Sequence, residues 1–169
     1  MLMGMARYVR PKWTGARVFF TLCLAARGSD LLVQEIAALR SAVAQTQAER
    51  PFGIAAWVVL PDHLHCVWQM PAGDRAYGLR WAMIKGRFSH GLAAQPRSHS
   101  KIRKGEKGIW QRRFWEHHIR DEADYAAHVA YCWGNPVKHG LVRHAVDWPY
   151  SSIHREIRLG WVAPEWGGG

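Results

Sequence analysis

The stretch WVVLPDHLHCVWQ, residues 57–69, decides how the middle of the chain folds. Two runs rich in β-branched and aromatic residues flank Pro61 and Asp62, a pair that favours a tight turn. Residues 54–60 and 63–70 are therefore predicted to form two strands joined by that turn.

The second of these strands carries His63 and His65, one residue apart in an otherwise apolar run. Side chains two apart on a strand point the same way, so the two imidazoles share a face. Two imidazoles at this spacing can hold one divalent cation, although histidine pairs on strands also occur as exposed polar residues. A cation site would need a further ligand from elsewhere. The opposite face of the strand is apolar and fits a core: Leu64, Cys66, Trp68 and Met70.

Outward from this hairpin, the pattern alternates between strands and helices. Residues 94–108 lack a hydrophobic period and are rich in Lys and Arg, which predicts a mobile basic loop. The whole order predicts an α+β, ferredoxin-like fold: a four-stranded antiparallel sheet with two helices on one face, plus a tyrosine-bearing helix and a short C-terminal extension. The remaining predicted elements are a strand at 16–25, a helix at 31–48, a helix at 77–92, a strand at 109–120 and a helix from 121.

The length of 169 residues suits a single domain. We expect its core to span about 8–140, with turns and short helices at about 141–169 packed on it. The last long helix begins at Asp121, with Asp124 three residues on as an approximate capping box. It is expected to stop at Asn135, because Pro136 disfavours helical geometry at the residue before it.

The charge balance is unusual, with 23 Lys and Arg against 13 Asp and Glu and a formal net charge of +10. Such an excess indicates a polyanionic partner, most often nucleic acid. The alternative is a basic protein without such a partner.

The three cysteines, Cys23, Cys66 and Cys132, are far apart and odd in number. They fit neither a disulfide framework nor a paired-cysteine zinc site, which favours a reducing, cytoplasmic setting. The first residues lack the apolar core of a signal peptide, and no apolar run approaches the length of a membrane span. We therefore expect a soluble cytoplasmic protein with no membrane partner.

The helix from Asp121 carries two stripes of different character. Tyr131 and Asn135 continue a stripe that begins at His128, with spacings of three and four residues. A helix that packs only for stability does not need an imidazole, a phenol and a carboxamide together; the alternative is a half-buried tyrosine with its hydroxyl in water. The neighbouring stripe is expected to face the core: Tyr125, Val129, Cys132 and Trp133.

A cation held by two histidines and an amide oxygen, beside a tyrosine in a basic protein, suits phosphodiester chemistry. The metal would act as a Lewis acid on the scissile phosphate, and the phenol would be the attacking group. Attack by tyrosine exchanges one phosphodiester for another of similar energy. The step would therefore be reversible, and rejoining would need no ATP.

Five blocks of sequence, in this order, resemble the REP-associated tyrosine transposases, which are single-tyrosine members of the HUH nuclease superfamily. The blocks are LPDHLHCVW (60–68), IWQRRFWEHHIRDEADY (109–125), HVAY (128–131), NPVKHGLV (135–142) and DWPYSS (147–152). The resemblance covers most of the chain. A lone His-x-His is a weak signal, whereas five ordered blocks are a strong one.

This resemblance implies a ferredoxin-like fold, an HUH pair at His63 and His65, a nucleophile at Tyr131 and a third metal ligand at Asn135. The implied enzyme cuts and rejoins single-stranded DNA at hairpins of repetitive palindromic elements with Mg²⁺ or Mn²⁺, as a monomer or a homodimer. It would leave a 5′-phosphotyrosine link and a free 3′-hydroxyl. The N-terminal basic stretch would read a short guide sequence beside each hairpin.

Basic and aromatic side chains are the candidates for DNA contact. Lys138 lies close to the predicted site, and Trp110, Phe114 and Trp115 could stack on unpaired bases, although core packing is expected for at least two of these three. Any single cation on this surface is by itself more often a solvated charge. The basic candidates are Arg7, Arg10, Lys12, Arg17, Arg97, Lys101, Arg103, Lys104, Lys107, Arg112, Arg113 and Lys138.

Two other functions remain open at this stage. A non-catalytic module could use the same sheet as a platform for nucleic-acid hairpins. A metal-dependent nuclease could use water as its nucleophile and form no link between protein and DNA.

Overall fold

The computed structural model describes residues 14–168. Within them, four strands form one sheet in the order β2-β3-β1-β4, and every pair of neighbours is antiparallel. This order and the helices between the strands confirm the predicted ferredoxin-like fold. The elements are β1 Arg17–Cys23, α1 Leu31–Gln34, α2 Ile36–Glu49, β2 Gly53–Val59, β3 His63–Gln69, α3 Tyr77–Ser89, α4 His99–Arg103, β4 Trp115–His118, α5 Glu122–Lys138, a 3-10 turn at Ala145–Asp147 and α6 Ile153–Arg158.

One face of the sheet is covered by α2 and α3. Its core includes the predicted apolar side of β3, and the indoles of Trp68 and Trp81 stack there with ring centroids 4.2 Å apart. Arg80 of α3 is 2% exposed and donates hydrogen bonds to both carboxylate oxygens of Asp74 and to the carbonyls of Arg50, Pro51 and Ala76. We call this side the closed face.

The other side of the sheet packs against α5 and the C-terminal segment, and we call it the α5 face. Val129, Cys132 and Trp133 point into a second core together with Phe19 and Val67 of the sheet, which confirms the predicted core-facing stripe. The segment after α5 adds short helices to this core, as expected. Strand β3 is therefore covered on both faces, and its histidines are buried.

Helix α5 runs through Pro136 to Lys138, so the predicted end at Asn135 is wrong. The steric conflict before a proline biases Asn135 away from helical geometry without forbidding it. The turn after the proline closes normally, since the N–H of His139 donates to the Asn135 carbonyl at 3.0 Å and that of Leu141 to the Pro136 carbonyl at 2.9 Å. The extra turn brings Lys138 and His139 to the site described below.

The prediction of a loop at 94–108 is wrong in part, because the segment includes a short helix. The segment contains α4, and Ser98 caps it by accepting a hydrogen bond from the Lys101 N–H. The Lys107 ammonium donates to the carbonyls of Ser89, His90 and Leu92 at 2.7–2.8 Å. A lysine thus satisfies carbonyls at the end of α3 that have no intrahelical partner. Charge density along the sequence does not reveal such a tertiary contact.

Two smaller differences concern element boundaries. The helix predicted at 31–48 is divided into α1 and α2 at Glu35, which leaves helical geometry with φ −103° and ψ 30°. The strand predicted at 109–120 is interrupted: Trp110 forms an isolated antiparallel bridge with Leu24, next to the end of β1, and continuous pairing with β1 is found only at β4. Among the helices that the structure describes, none is both long and apolar enough to cross a membrane.

Candidate metal and tyrosine site

His63 and His65 are both held through their Nδ1 atoms. His63 Nδ1 lies 2.7 Å from the Asp62 carboxylate, and His65 Nδ1 lies 2.7 Å from the Thr21 hydroxyl. Burial alone would raise the pKa of Asp62, but hydrogen bonds from His63 and the Gly28 N–H, with the charge of Arg27, lower it overall. The ionised carboxylate can only accept, so it accepts a hydrogen bond from the His63 Nδ1–H, and the Nε2 lone pair is left available. A carboxylate behind a histidine is a common support for a metal ligand.

Three buried polar atoms of this site have no hydrogen-bond partner among the described residues: His65 Nε2 and both side-chain atoms of Asn135. Asn135 is only 1% exposed. Burying an unpaired polar group costs about 1–3 kcal/mol, so such groups usually have a partner, a water or an ion. Two imidazole nitrogens and an amide oxygen are a suitable donor set for a divalent cation. The residues present therefore fit the metal that the sequence predicts.

The electrostatics of the site keep His65 neutral. Burial, with further contributions from His63, His139 and Lys138, lowers the pKa of His65 to about 3. The Asn135 carboxamide acts in the opposite direction, so it lies close to the imidazole, although no atom pair between them has hydrogen-bond geometry. A neutral imidazole at pH 7 can offer its lone pair without losing a proton first.

Tyr131 stands at the solvent side of these atoms, one helical turn before Asn135. Its ring centroid is 5.1 Å from that of His65 and 5.8 Å from that of Phe19. Tyr131 is 39% exposed, so its hydroxyl can meet a macromolecular substrate. The Lys138 ammonium lies 4.8 Å from the centre of the same ring. The structure thus brings together all four residues predicted for the reaction and adds a cation beside the phenol.

His139 is a neighbour of the site that the sequence interpretation missed. Its ring centroid is 5.1 Å from that of His63. The residue follows Asn135 by four positions, a spacing that would have pointed to it if the helix had been predicted to continue past Pro136.

A second histidine cluster lies at the start of α5, next to β4, and His117 and Asp124 in it were not predicted as candidates. Ligand atoms of His117, Asp124 and His128 lie within 4.8 Å of one another, so by residue type they can hold a metal ion. In the structure, however, they bind each other. His117 Nε2 is 2.8 Å from Asp124 Oδ2, and His128 Nδ1 is 2.8 Å from the Asp124 carbonyl. These contacts fasten the first turn of α5 to β4.

Asp124 is also held by the backbone. Its carboxylate accepts a hydrogen bond from the Arg120 N–H at 2.9 Å, and its own N–H donates to Asp121 as the predicted cap requires. The hydrogen bond from the Arg120 N–H, followed by that from His117, lowers the pKa of Asp124 to about 2.

The basic residues predicted to contact DNA divide into three groups. Arg7, Arg10 and Lys12 lie outside the described residues. Several others bind protein atoms: Arg17 binds Glu122, Arg112 binds Glu106, and Lys101 and Lys107 donate to backbone carbonyls. The remaining side chains are on the surface: Arg97, Arg103, Lys104, Arg113 and Lys138. Of these, Arg97 also donates to the Gln95 carbonyl at 3.1 Å.

The three aromatic candidates for base stacking also differ. Trp110 is buried in the core of the closed face, and Phe114 packs against that core. Trp115 is 67% exposed. The expectation that at least two of the three would pack in the core is confirmed.

Comparisons with known proteins identify relatives of the chain. The chain is 43% identical over 164 residues to the REP-associated tyrosine transposase of Escherichia coli, which covers 97% of this chain and 92% of the relative. A Haemophilus influenzae protein named for the same family is 43% identical over 166 residues, covering 97% and 94%. A solved structure of a REP-associated tyrosine transposase bound to a REP hairpin superposes with a TM-score of 0.81 at 43% identity, covering 98% of this chain and 93% of that one. No family model matches the chain.

Proposed function

The chain belongs to the REP-associated tyrosine transposases, enzymes that cut and rejoin DNA, and from that premise we propose that it cuts single-stranded DNA beside REP hairpins through Tyr131. One observation carries the proposal: an exposed phenol adjoins buried imidazole and amide atoms that no described residue hydrogen-bonds. The hairpin partner is proposed because a relative 43% identical was solved with a REP hairpin bound. We propose a cytoplasmic location as well, because the protein would meet its DNA there.

We assign the metal site to Nε2 of His63 and of His65 and to Oδ1 of Asn135. Mg²⁺ or Mn²⁺ bound there would supply Lewis-acid polarisation of the scissile phosphate. Asp62 and Thr21 hold the two imidazoles through their Nδ1 atoms. This support keeps the rings from rotating and leaves their other nitrogens for the ion.

Tyr131 performs the covalent step in this proposal. Its phenol oxygen attacks the scissile phosphorus and gives up its proton, and the bond from phosphorus to the 3′-oxygen of the preceding nucleotide breaks. The released 3′-oxygen takes up a proton, and the following strand stays attached as a 5′-phosphotyrosine. Attack by a 3′-hydroxyl on this linkage reverses the step, because one phosphodiester replaces another. Lys138, beside the Tyr131 ring, contributes positive charge where the phosphate must sit.

The test is a denaturing gel with a 3′-end-labelled strand that contains a REP hairpin and its single-stranded flank. Wild-type protein with Mn²⁺ is expected to retain the label covalently, and Tyr131→Phe to lose it while still binding the hairpin. Tyr125→Phe is the matched control, because Tyr125 lies on the same helix but belongs to the core-facing stripe. A labelled adduct that persisted in Tyr131→Phe would overturn the assignment. Cleavage that released a free 5′-phosphate without any adduct would indicate water as the nucleophile.

A further inference from the structure

Trp115 belongs to the same sheet face as the histidine pair. In the antiparallel register Thr21 of β1 lies opposite His65 of β3 on one side and opposite Trp115 of β4 on the other. Directly opposed residues of antiparallel strands project from the same face. His65, Thr21 and Trp115 therefore form one row across three strands.

Two side-chain contacts support this placement. The Thr21 hydroxyl reaches His65 Nδ1 at 2.7 Å, so both side chains are on one face. In the adjacent row, Phe19 lies opposite His117, whose ring stacks on His128 of α5 with centroids 4.6 Å apart. Helix α5 thus covers the adjacent row at β4, whereas Trp115 is 67% exposed beyond it.

The Trp115 indole has no partner within the described part of the chain. No hydrogen bond, ring contact or cation contact joins it to another described side chain. Its neighbours in sequence behave differently, since Trp110 is buried and Phe114 packs against the core. An exposed indole of this kind offers a flat face on which an unpaired base can stack.

We propose that the Trp115 indole is a stacking platform for an unpaired base close to the scissile phosphate, so that the single strand crosses the sheet from the histidine pair towards the edge strand β4. The location of the scissile phosphate rests on the proposed function. Two strand spacings separate Trp115 from His65, about 10 Å along the row. Stacking on an aromatic ring tolerates any base. The platform would therefore fix the register of the strand on the site without reading its sequence.

The chemistry around Trp115 favours DNA over a second protein chain as the occupant. The exposed Arg113 lies two residues away, and the chain as a whole has a net charge of +10, which suits a polyanion. Edge strands can pair with another copy, but short strands with charged side chains oppose this. Strand β4 has four residues and exposes Glu116.

The experiment measures dissociation constants for hairpin DNA whose single-stranded flank carries an abasic nucleotide at one position at a time. We expect wild-type protein to lose roughly five- to 100-fold in affinity at one flank position, the range of a lost base–aromatic stack. Trp115→Ala should show that loss on intact DNA and no further loss with the abasic nucleotide at that position. Trp115→Phe should retain part of the affinity. Trp161→Ala is the matched control, because Trp161 is 49% exposed on the C-terminal segment, and it should bind like wild type.

Two results would overturn the proposal. The first is that Trp115→Ala binds intact DNA with wild-type affinity. A loss of affinity in Trp115→Ala that adds to the loss from the abasic nucleotide at every flank position would also overturn it. The second is that wild-type protein sediments as a dimer and Trp115→Ala as a monomer, which would assign this surface to a second copy of the chain. The covalent adduct keeps this test separate from that of the proposed function. If wild-type protein forms no adduct, but the losses from Trp115→Ala and from one abasic position still fail to add, the Tyr131 chemistry is removed and the stacking platform remains. If the adduct forms but the two losses add at every position, the platform is removed and the Tyr131 chemistry remains.

Discussion

The two faces of the sheet differ in how the buried polar groups of their helices and strands are hydrogen-bonded. On the closed face, the buried guanidinium of Arg80 is surrounded by a carboxylate and three carbonyls. On the α5 face, His65 Nε2 and the Asn135 carboxamide are buried without hydrogen-bond partners among the described residues, next to the exposed Tyr131. The same sheet thus carries a buried charge that is fully paired on one side and, on the other, buried groups that could ligate an ion.

The two faces differ in which chemical groups are buried without a hydrogen bond, more than in how many such groups they contain. The closed face also contains unpaired buried atoms, the indole nitrogens of Trp68, Trp81 and Trp110. An indole N–H is a donor only and cannot ligate a cation. The unpaired groups of the α5 face, by contrast, include the Asn135 Oδ1 acceptor and an imidazole nitrogen, His65 Nε2, that can act as one. Acceptors are what a metal ion requires.

Replacing Asn135 by Leu should have the largest effect on function and separate the two faces most clearly. We expect DNA cleavage to fall by at least about 100-fold, the upper range for losing even an indirect support of a metal ligand. The free energy of unfolding should stay unchanged or rise by about 1 kcal/mol, because an unpaired buried amide is removed. Urea unfolding and cleavage assays on the same preparation measure both. A marked loss of stability would mean that the carboxamide is satisfied by the protein, as polar groups on the closed face are.

Asp74→Ala should produce the opposite result on the closed face. Arg80 would keep its buried charge and lose its carboxylate, which should lower the free energy of unfolding by about 2–3 kcal/mol, since Asp74 itself is 31% exposed. Binding of Mn²⁺ should not change. Glu49→Ala is the control, because Glu49 pairs with Arg87 at a more exposed position, and its loss should cost less than about 1 kcal/mol. Equal losses in the two variants would contradict the account of the closed face.

The smallest expected effect concerns the clamp at the start of α5. The pKa of Asp124 is lowered to about 2, below its unfolded value of about 3.9. Its contacts should therefore stabilise the fold above pH 4, and this contribution should disappear as the pH falls towards 2. The difference in thermal midpoint between wild type and Asp124→Asn, measured from pH 6 to pH 2, should shrink across that range. A difference that grew on acidification would contradict the assignment of an ionised carboxylate.

Much of this architecture could be predicted from the sequence, because local periodicity carries it. Alternation along residues 63–70 separated the two faces of β3, and helical spacing aligned Tyr131 with Asn135. The family resemblance then agreed with those assignments. Each of these features lies within one element, where the side-chain direction follows from the repeat of that element.

The features that were missed depend on contacts between distant elements. Thr21 supports His65 from another strand, and His117 meets Asp124 across the junction of β4 and α5. Lys107 orders its own segment by capping α3. Such pairings are set by tertiary packing, which also keeps the last turn of α5 helical beyond Pro136. Sequence spacing alone does not contain this information.

The central claim is that the unpaired atoms of the α5 face form the cation site, and a calorimetric titration with Mn²⁺ tests it most directly. His65→Ala and His117→Ala are compared with wild type, after circular dichroism has established that each variant is folded. The account predicts that wild-type protein binds Mn²⁺, that His65→Ala loses this binding and that His117→Ala keeps it. Binding that survives in His65→Ala and disappears in His117→Ala would place the ion in the second histidine cluster and contradict the account.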